Sequence, residues 1–325
     1  MSVPLMWYWS ISSIVLTEEA EKLWLTVEII SKTKNLFYIK GNGKEILFKS
    51  TDFGWNSALW LKIANDKELT YKILEKHNLP TAKTWYILPD QISDLEKLNI
   101  TFPVIIKPLE EWHGNWVMMN ILDIKELKLK LKQSFEVYNK MIIQKQIEWE
   151  EFRVLVVNWE VIMARNRVPA FIIGDWTNTI QKLISIENKS NILRWEWYNS
   201  PLAYIKVDSE LDDYIEKNWL TTDSIPEQWK HVTLRWNSNI GTWWISIDVT
   251  HIISDDIKNI CSSAAKMLNL KLAWVDVITT DITKALSETH WIILEINSTP
   301  WIWWDRELTD VNTWKIILEK LFFNK

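Results

Sequence analysis

The chain is poor in glycine and in cysteine. It has 6 glycines among 325 residues, whereas a soluble protein of this length carries about 23 at the usual share of about 7%. The single cysteine, Cys261, excludes an internal disulfide and favours a reducing compartment. Because Cys261 lies in a helical-looking stretch, we expect its thiol to be a buried packing group.

Long apolar runs and strong charge are also missing. No run approaches the roughly 18 apolar residues that cross a bilayer. The apolar residues 1–16 have no basic start and no small-residue cleavage pattern, so we interpret them as a first strand and turn rather than a signal peptide. A net charge of -5 and the lack of a long Lys/Arg block argue against nucleic-acid and membrane partners. We therefore expect a cytoplasmic protein that acts on small molecules.

Tryptophan is present in unusual excess, with 24 copies, and many of them occupy positions typical of glycine. Trp159 follows Asn158 between two apolar β runs, where a hairpin of the Asn-Gly type needs glycine. Trp24 and Trp219 follow helices at the position where a left-handed glycine usually ends them. The same turn-like setting recurs at Trp176, Trp243, Trp244, Trp301, Trp303 and Trp304.

We infer that UGA codons which the source lineage reads as glycine have been translated as tryptophan. Restoring glycine at the 24 positions raises the glycine count from 6 to 30, close to the ordinary share. The alternative takes the tryptophans literally, as an aromatic-rich ligand-binding protein or a decayed gene product. In that case each left-handed tryptophan costs about 1–3 kcal/mol.

The pattern of apolar residues predicts an α/β (α+β) protein of two or three subdomains around a shared cleft. Helices are predicted at 17–23, 66–77, 93–98, 254–268 and 311–323, and strands at 27–30, 36–39, 84–88, 102–107, 141–147, 155–157, 161–163, 272–278 and 290–297.

Two of the apolar strands carry acids. Glu295 and Asn297 are two residues apart and therefore share one face of their strand, and Asp276 interrupts the other strand. Two carboxylates and an amide oxygen suit a hard ion such as Mg²⁺, which would offset the cost of burying charge. The alternative is that these are solvent-facing acids at strand ends.

Lys107 ends an apolar strand and precedes residues 109–116, which become a phosphate-cradling loop if Trp112 and Trp116 are glycine. An ordinary glycine-rich hairpin loop is the alternative. Further along, the apolar strand 141–147 runs into residues 148–153, where a linker with polar edges could hold a purine and Glu151 could accept from ribose hydroxyls. A solvated acidic turn is the alternative.

Five arginines, Arg153, Arg165, Arg167, Arg194 and Arg235, are spread over the second half of the chain. Some lie in β-like runs, where an anionic ligand would compensate the buried charge. Each alone is also compatible with a surface position.

Five segments stand out once glycine is restored: EFRVLVV at 151–157, RVPAFIIGDW at 167–176, NSNIGTWW at 237–244, WVDV at 274–277 and EINSTPW at 295–301. Through these motifs the chain resembles the ATP-grasp superfamily over residues 60–325, and in detail the ATP-grasp part of cyanophycin synthetase and of bifunctional glutamate-cysteine ligase/glutathione synthetase. The resemblance implies a small α/β pre-ATP-grasp domain at 1–64, an N-terminal lid subdomain at 65–147 and a C-terminal catalytic subdomain at 148–325. The two α+β subdomains would grip ATP.

The resemblance also implies roles for individual residues. The ATP-contacting residues would be Lys67, Lys107, His113, Gly114, Gln144, Lys145, Ile147 and Glu151. Asp276, Glu295 and Asn297 would bind Mg²⁺, or Mn²⁺ in its place. Arg167, Arg235 and Asn239 would stabilise the phosphoryl and acyl groups and shape the acceptor pocket.

The implied activity is that of a carboxylate-amine ligase. ATP phosphorylates a carboxylate, and an amine displaces the phosphate to give an amide. The expected substrates are amino acids or short peptides, and the expected assembly is a homodimer. The resemblance covers neither the Mur-ligase-like domain nor the glutamate-cysteine ligase module of these relatives, and Tyr198 replaces a histidine expected in cyanophycin synthetase, so we do not expect polymer synthesis. A nucleotide-binding module without ligase activity is the alternative.

Overall fold

The computed structural model describes residues 9–109, 117–147, 150–195, 202–235, 245–299, 302, 309 and 311–323. The chain divides into two compact units. Unit 1 comprises Met1–Trp55, Ile162–Thr250 and Thr299–Lys325, and unit 2 comprises Asn56–Val161 and His251–Ser298. No helix in these described ranges combines the length and the apolar character needed to cross a membrane.

The helices of the described residues are α1 (Ile11–Lys22), α2 (Ala58–Ala64), α3 (Lys67–Lys76), a 3₁₀ helix (Pro89–Leu98), α4 (Ile124–Ser134), α5 (Ile180–Ser190), α6 (Ser209–Glu216), α7 (Asp255–Met267) and α8 (Thr313–Phe322). The strands are β1 (Thr26–Ser31), β2 (Leu36–Gly41), β3 (Lys44–Lys49), β4 (Thr84–Ile87), β5 (Val104–Pro108), β6 (Met118–Ile121), β7 (Met141–Lys145), β8 (Glu150–Val157), β9 (Glu160–Val168), β10 (Phe171–Ile173), β11 (Arg194–Trp195), β12 (Leu202–Ala203), β13 (His231–Thr233), β14 (Ile245–Asp248), β15 (Leu272–Thr279) and β16 (Trp291–Asn297).

Unit 1 contains several small sheets, which are antiparallel except for the parallel pair of β11 and β12. Strands β1, β2 and β3 form one sheet, with Phe37 and Phe48 buried at its centre, and α1 packs against β1 and α8. Strands β10 and β13 pair, and α5 and α6 cover an apolar core that includes Ile172, Ile184 and Leu211. Strand β14 pairs antiparallel with β9.

Unit 2 contains a four-stranded antiparallel sheet in the order β4-β7-β5-β6. The 3₁₀ helix and α4 pack on this sheet through a core that includes Leu95, Leu127 and Ile143. In the same unit, β15 lies between β8 and β16 and pairs antiparallel with both, and α7 packs on β8 and β15. The mixture of helices and antiparallel sheets confirms the expected α+β class.

Local capping explains where the helices begin. The Asp66 carboxylate accepts from the Leu69 amide at 3.1 Å and starts α3, and the Ser254 hydroxyl accepts from the Ile257 amide at 3.3 Å and starts α7. Both helices were predicted, and Cys261 is buried in α7 as expected. The predicted first strand and turn is wrong from residue 11 onward, because the Ser10 hydroxyl caps the amide of Ser13 and α1 begins there.

The tryptophans predicted at glycine-like positions have left-handed backbones wherever they are described. The φ angles are 61° at Trp24, 66° at Trp159, 62° at Trp176 and 61° at Trp219, and Trp229, which the sequence did not single out, has 66°. Trp24 and Trp219 are 95% and 96% exposed. With Asn158 at 50°, Trp159 completes a turn of positive φ at both central residues between β8 and β9, where glycine is normally preferred.

Other tryptophans occupy ordinary positions. Trp274 in β15 and Trp314 in α8 are each 2% exposed. Among the described residues, five tryptophans have a left-handed backbone that favours glycine. Trp274 and Trp314 have no left-handed backbone, and their side chains are part of the buried core.

Candidate active site

A row of charged side chains crosses the middle of the β8-β15-β16 sheet in unit 2. The strand register places Arg153 of β8 opposite Asp276 of β15, and Asp276 opposite Glu295 of β16. Directly opposed residues on neighbouring strands are close enough for their side chains to interact. The sheet therefore brings two acids together with a cation that lies more than 100 residues before them in the chain.

Arg153 holds Asp276 through two parallel hydrogen bonds. Its Nε donates to Oδ1 at 2.7 Å and its Nη2 donates to Oδ2 at 2.6 Å, while the Asp276 side chain is 2% exposed. Burial alone would lower the pKa of Arg153, but the charge and hydrogen bonds of Asp276 raise it above its usual value. The pair fixes the orientation of the Asp276 carboxylate within an otherwise apolar strand.

A β-bulge in β16 shapes the other side of the row. Glu295 faces Asp276 and Ile293 faces Val277, so Leu294 is the extra residue of the bulge. The Tyr71 hydroxyl of α3 donates to the Leu294 carbonyl oxygen at 2.5 Å. This contact ties α3 to β16 beside the charged row.

The first residue of α3 reaches the same acids. The Lys67 Nζ lies 3.9 Å from Glu295 Oε1, with the Lys67 side chain 17% exposed and the Glu295 side chain 35% exposed. Glu295 is thus the most accessible member of the row, and a cation is already next to it.

The donor set of this row suits a hard divalent ion. Asp276 and Glu295 supply carboxylate oxygens, and Asn297 supplies an amide oxygen two residues along β16. The described residues contain no group of three or more His, Cys, Asp or Glu that could hold a metal by itself. Mg²⁺ commonly takes one or two carboxylates and completes its shell with water and substrate phosphate, so this set fits it.

Lys107 is a half-buried cation in β5, the strand beside β7. Burial lowers the pKa of its ammonium group, and the charges of Glu295 and Glu151 act in the opposite direction. A lysine whose charge is poorly solvated gains when an anion binds beside it. This property is compatible with the phosphate contact expected of Lys107.

The residues expected to hold adenosine lie at the end of β7 and the start of β8. Gln144 is fully buried, and its Nε2 donates to Thr84 Oγ1 at 2.8 Å. Its Oε1 has no hydrogen-bond partner in the described part of the chain. The Lys145 ammonium donates to the Phe102 carbonyl oxygen at 2.8 Å, Ile147 follows, and Glu151 lies in β8.

The two arginines expected to act in catalysis lie in unit 1. Arg167 is 5% exposed in β9, opposite Ser246 of β14. Arg235 is 2% exposed and forms an ion pair with Asp208. Both side chains are therefore buried cations, and Arg235 is already paired with an acid.

Three predicted site residues lie outside the described residues. They are His113, Gly114 and Asn239. Most of the predicted phosphate loop, residues 110–116, lies there as well.

Sequence reasoning missed two contributors to the charged row. Arg153 was noted only as one of several basic residues, and Tyr71 was not noted. An arginine in the apolar run of β8 was a signal that a buried acid lies nearby, but its partner depends on strand register.

Comparison with known proteins identifies the fold. Residues 64–175 match the model of the RimK-like ATP-grasp domain. The chain is 30% identical over 256 residues to cyanophycin synthetase of Crocosphaera subtropica, an alignment that covers 78% of this chain and 29% of that protein. It is 26% identical over 299 residues to the glutathione biosynthesis bifunctional protein of Desulfotalea psychrophila, with 89% of this chain and 38% of that protein covered.

A solved structure is similar to this chain over almost its whole length. The crystal structure of a bifunctional glutathione synthetase from Pasteurella multocida superposes with a TM-score of 0.75 at 21% identity, and covers 98% of this chain and 44% of that chain. This chain thus spans 29% and 38% of the lengths of the two sequence relatives. Residues 64–175 are thus similar to the RimK-like ATP-grasp domain, and the chain has the ATP-grasp fold.

Proposed function

We propose that this chain is a Mg²⁺- and ATP-dependent carboxylate-amine ligase that acts on amino acids or short peptides. The observation that carries the proposal is the row of Arg153, Asp276 and Glu295 across three paired strands, with Lys67 at 3.9 Å from Glu295. A row of this kind provides a place for a divalent ion and for phosphate oxygens in one sheet.

The proposed reaction has two steps. A carboxylate oxygen of the first substrate attacks the γ-phosphorus of ATP, and the bond to the β,γ-bridging oxygen breaks to release ADP. The amine of the second substrate then attacks the acyl carbon, and the bond from that carbon to the phosphate oxygen breaks. The amine gives up a proton, and the products are an amide and inorganic phosphate.

The residues of this chain would orient and neutralise charge rather than act as nucleophiles. Asp276, Glu295 and Asn297 would hold Mg²⁺, or Mn²⁺, which when bound neutralises phosphate charge. Lys67 and Lys107 would contact phosphate oxygens. Phosphoryl transfer depends mainly on such positioning and electrostatics.

Adenosine would bind along the end of β7. The buried Gln144 Oε1 offers an acceptor for the adenine amino group, and Glu151 would accept from ribose hydroxyls. From the sequence resemblance, Arg167, Arg235 and Asn239 would stabilise the phosphoryl and acyl oxygens, and His113 and Gly114 would contact phosphate. A cytoplasmic homodimer is part of the same proposal.

The test measures phosphate release with Mg-ATP and pairs of amino acids or short peptides, and identifies the amide by mass spectrometry. Two chains are compared, the printed chain and the chain with glycine at all 24 tryptophan positions. Release that needs both a carboxylate and an amine substrate is expected. ATP binding without release for any pair would refute the ligase and favour a nucleotide-binding module.

Asp276→Asn supplies the matched variant. It should abolish turnover, because it removes a charge from the centre of the row while its shape is kept. Asp281→Asn is the control, since Asp281 lies just after β15 and bonds to Thr283 instead. Equal turnover in the two variants would show that the row does not carry the reaction.

A further inference from the structure

Gln146 and Asn120 form a side-chain clip at the edge of the four-stranded sheet. The Asn120 backbone N–H donates to Gln146 Oε1 at 2.8 Å, and Gln146 Nε2 donates to Asn120 Oδ1 at 2.7 Å. Asn120 thus engages both the oxygen and the nitrogen of the Gln146 side-chain amide, one through its backbone and one through its side chain. Gln146 is 7% exposed, whereas Asn120 is exposed, so the contact is buried on the Gln146 side only.

Asn120 occupies a special backbone position. It has a φ of 55° in β6, and the register with β5 changes between Val104 opposite Ile121 and Ile106 opposite Met118. Strand β6 therefore holds one more residue than β5 across this interval, which is a β-bulge. Asparagine tolerates the left-handed conformation better than most residues.

Gln146 also marks the point where the chain leaves the sheet. Its backbone N–H donates to the Pro103 carbonyl oxygen at 3.1 Å, and the preceding Lys145 N–H donates to the Lys83 carbonyl oxygen at 3.2 Å. Strand β5 lies between β7 and β6 in the sheet, so the Gln146 side chain reaches past the start of β5 to the bulge. The exit of β7 is thereby tied to β6, which is not its neighbour.

We infer that Gln146 is a positioning residue for nucleotide recognition, and that the Asn120 clip fixes the segment on which adenosine binds. The inference rests on the proposed function. Both polar ends of the Gln146 side chain are engaged by Asn120, so the side chain acts on the nucleotide through Ile147 and the adjoining backbone. The phosphate contacts proposed for Lys67 and Lys107 come from the start of α3 and from the end of β5 that lies away from the clip. These contacts therefore do not depend on the clip.

The test compares dissociation constants for Mg-ATP and Mg-tripolyphosphate by calorimetry, on the full chain in whichever form binds ATP. Gln146→Leu removes one partner of the clip. Asn120→Gly removes the other and keeps the backbone freedom that the bulge needs. Each should weaken ATP about five- to tenfold, the scale of one lost hydrogen bond, and leave tripolyphosphate unchanged.

Two further variants separate positioning from general damage. The double variant Gln146→Leu with Asn120→Gly should be no weaker than either single variant, because both break one interaction. Gln146→Glu should retain wild-type affinity, because its carboxylate still accepts from the Asn120 amide and a rotated Asn120 side chain can donate to it. Thermal unfolding without nucleotide shows whether each variant is folded.

The outcomes distinguish the two proposals. A wild-type chain that binds no ATP refutes the proposed function. If the wild type binds ATP, unchanged ATP affinity in Asn120→Gly overturns the inference, and so does an equal loss for ATP and tripolyphosphate.

Discussion

Trp24 and Trp219 provide a direct test of the glycine hypothesis, because each has a left-handed backbone and almost no packing. Both follow helices, at φ of 61°, and are 95% and 96% exposed. Replacement by glycine therefore removes backbone strain and sacrifices no buried surface. We expect Trp24→Gly and Trp219→Gly each to stabilise the folded chain.

The size of the gain follows from two opposing contributions. A residue with a Cβ pays about 1–2 kcal/mol in the left-handed conformation, and glycine loses about 0.5–1 kcal/mol more conformational freedom on folding. The net gain is about 0.75 kcal/mol per site at the centre of these ranges. For a unit of this size that gain raises the melting temperature by about 1.5–3 °C.

Alanine is the matched control at both sites. Trp24→Ala and Trp219→Ala remove the same exposed indole but keep the Cβ, so they should stay within about 0.5 kcal/mol of the parent. Urea unfolding followed by far-ultraviolet circular dichroism is the assay, since its signal does not depend on tryptophan fluorescence. Equal effects of glycine and alanine would refute the reasoning.

Trp314 gives an internal contrast of opposite sign. It is 2% exposed inside α8, and Trp314→Gly should cost about 3–5 kcal/mol as a truncated buried aromatic. A gain there would show that the helix position itself belongs to glycine.

Three further predictions concern buried charge and close backbone packing. Arg153→Met should lower the free energy of unfolding, measured in urea, by about 3–5 kcal/mol, because Asp276 stays buried without its cation. Adding Asp276→Leu should recover most of this loss. An unchanged free energy of unfolding in the single variant would contradict the ion-pair argument. The affinity for ATP should fall as the pH rises above neutral, and at a lower pH than for a lysine of ordinary pKa, since the lowered pKa makes Lys107 lose its charge sooner. Lys107→Arg should flatten the dependence of ATP affinity on pH, measured by calorimetry from pH 7 to 10. An equal slope in that variant would assign the effect to another group. Gly174→Ala should cost about 1–3 kcal/mol in the same urea assay, because a Cβ there would lie 2.1 Å from the Glu227 carbonyl oxygen; unchanged stability would show that this backbone contact relaxes freely.

Local signals in the sequence predicted much of the fold. Asp66 and Ser254 mark helix starts through their own side chains, and Asn158-Trp159 marks a hairpin through turn chemistry. Each of these features depends on residues within a few positions of one another. The α1 helix was partly missed because an apolar start suggested a strand, while the Ser10 cap favoured a helix.

Non-local contacts set the limit of prediction at the site. The acids Asp276 and Glu295 could be proposed as partners from their strands, but their opposition depends on a register that includes a bulge at Leu294. The pairing of Arg153 with Asp276 spans 123 positions. The clip between Asn120 and Gln146 likewise depends on where the register between β5 and β6 shifts.

The left-handed tryptophans have a consequence for how the gene is expressed. Where UGA is a stop signal and all 24 tryptophan positions are UGA codons, ribosomes would release the chain at the first tryptophan codon, residue 7. Gene finders that use the standard code would divide the same coding region into short unrelated fragments. Backbone conformation thus records how a codon was read, and a residue that the φ angle does not suit can reveal a mistranslated gene.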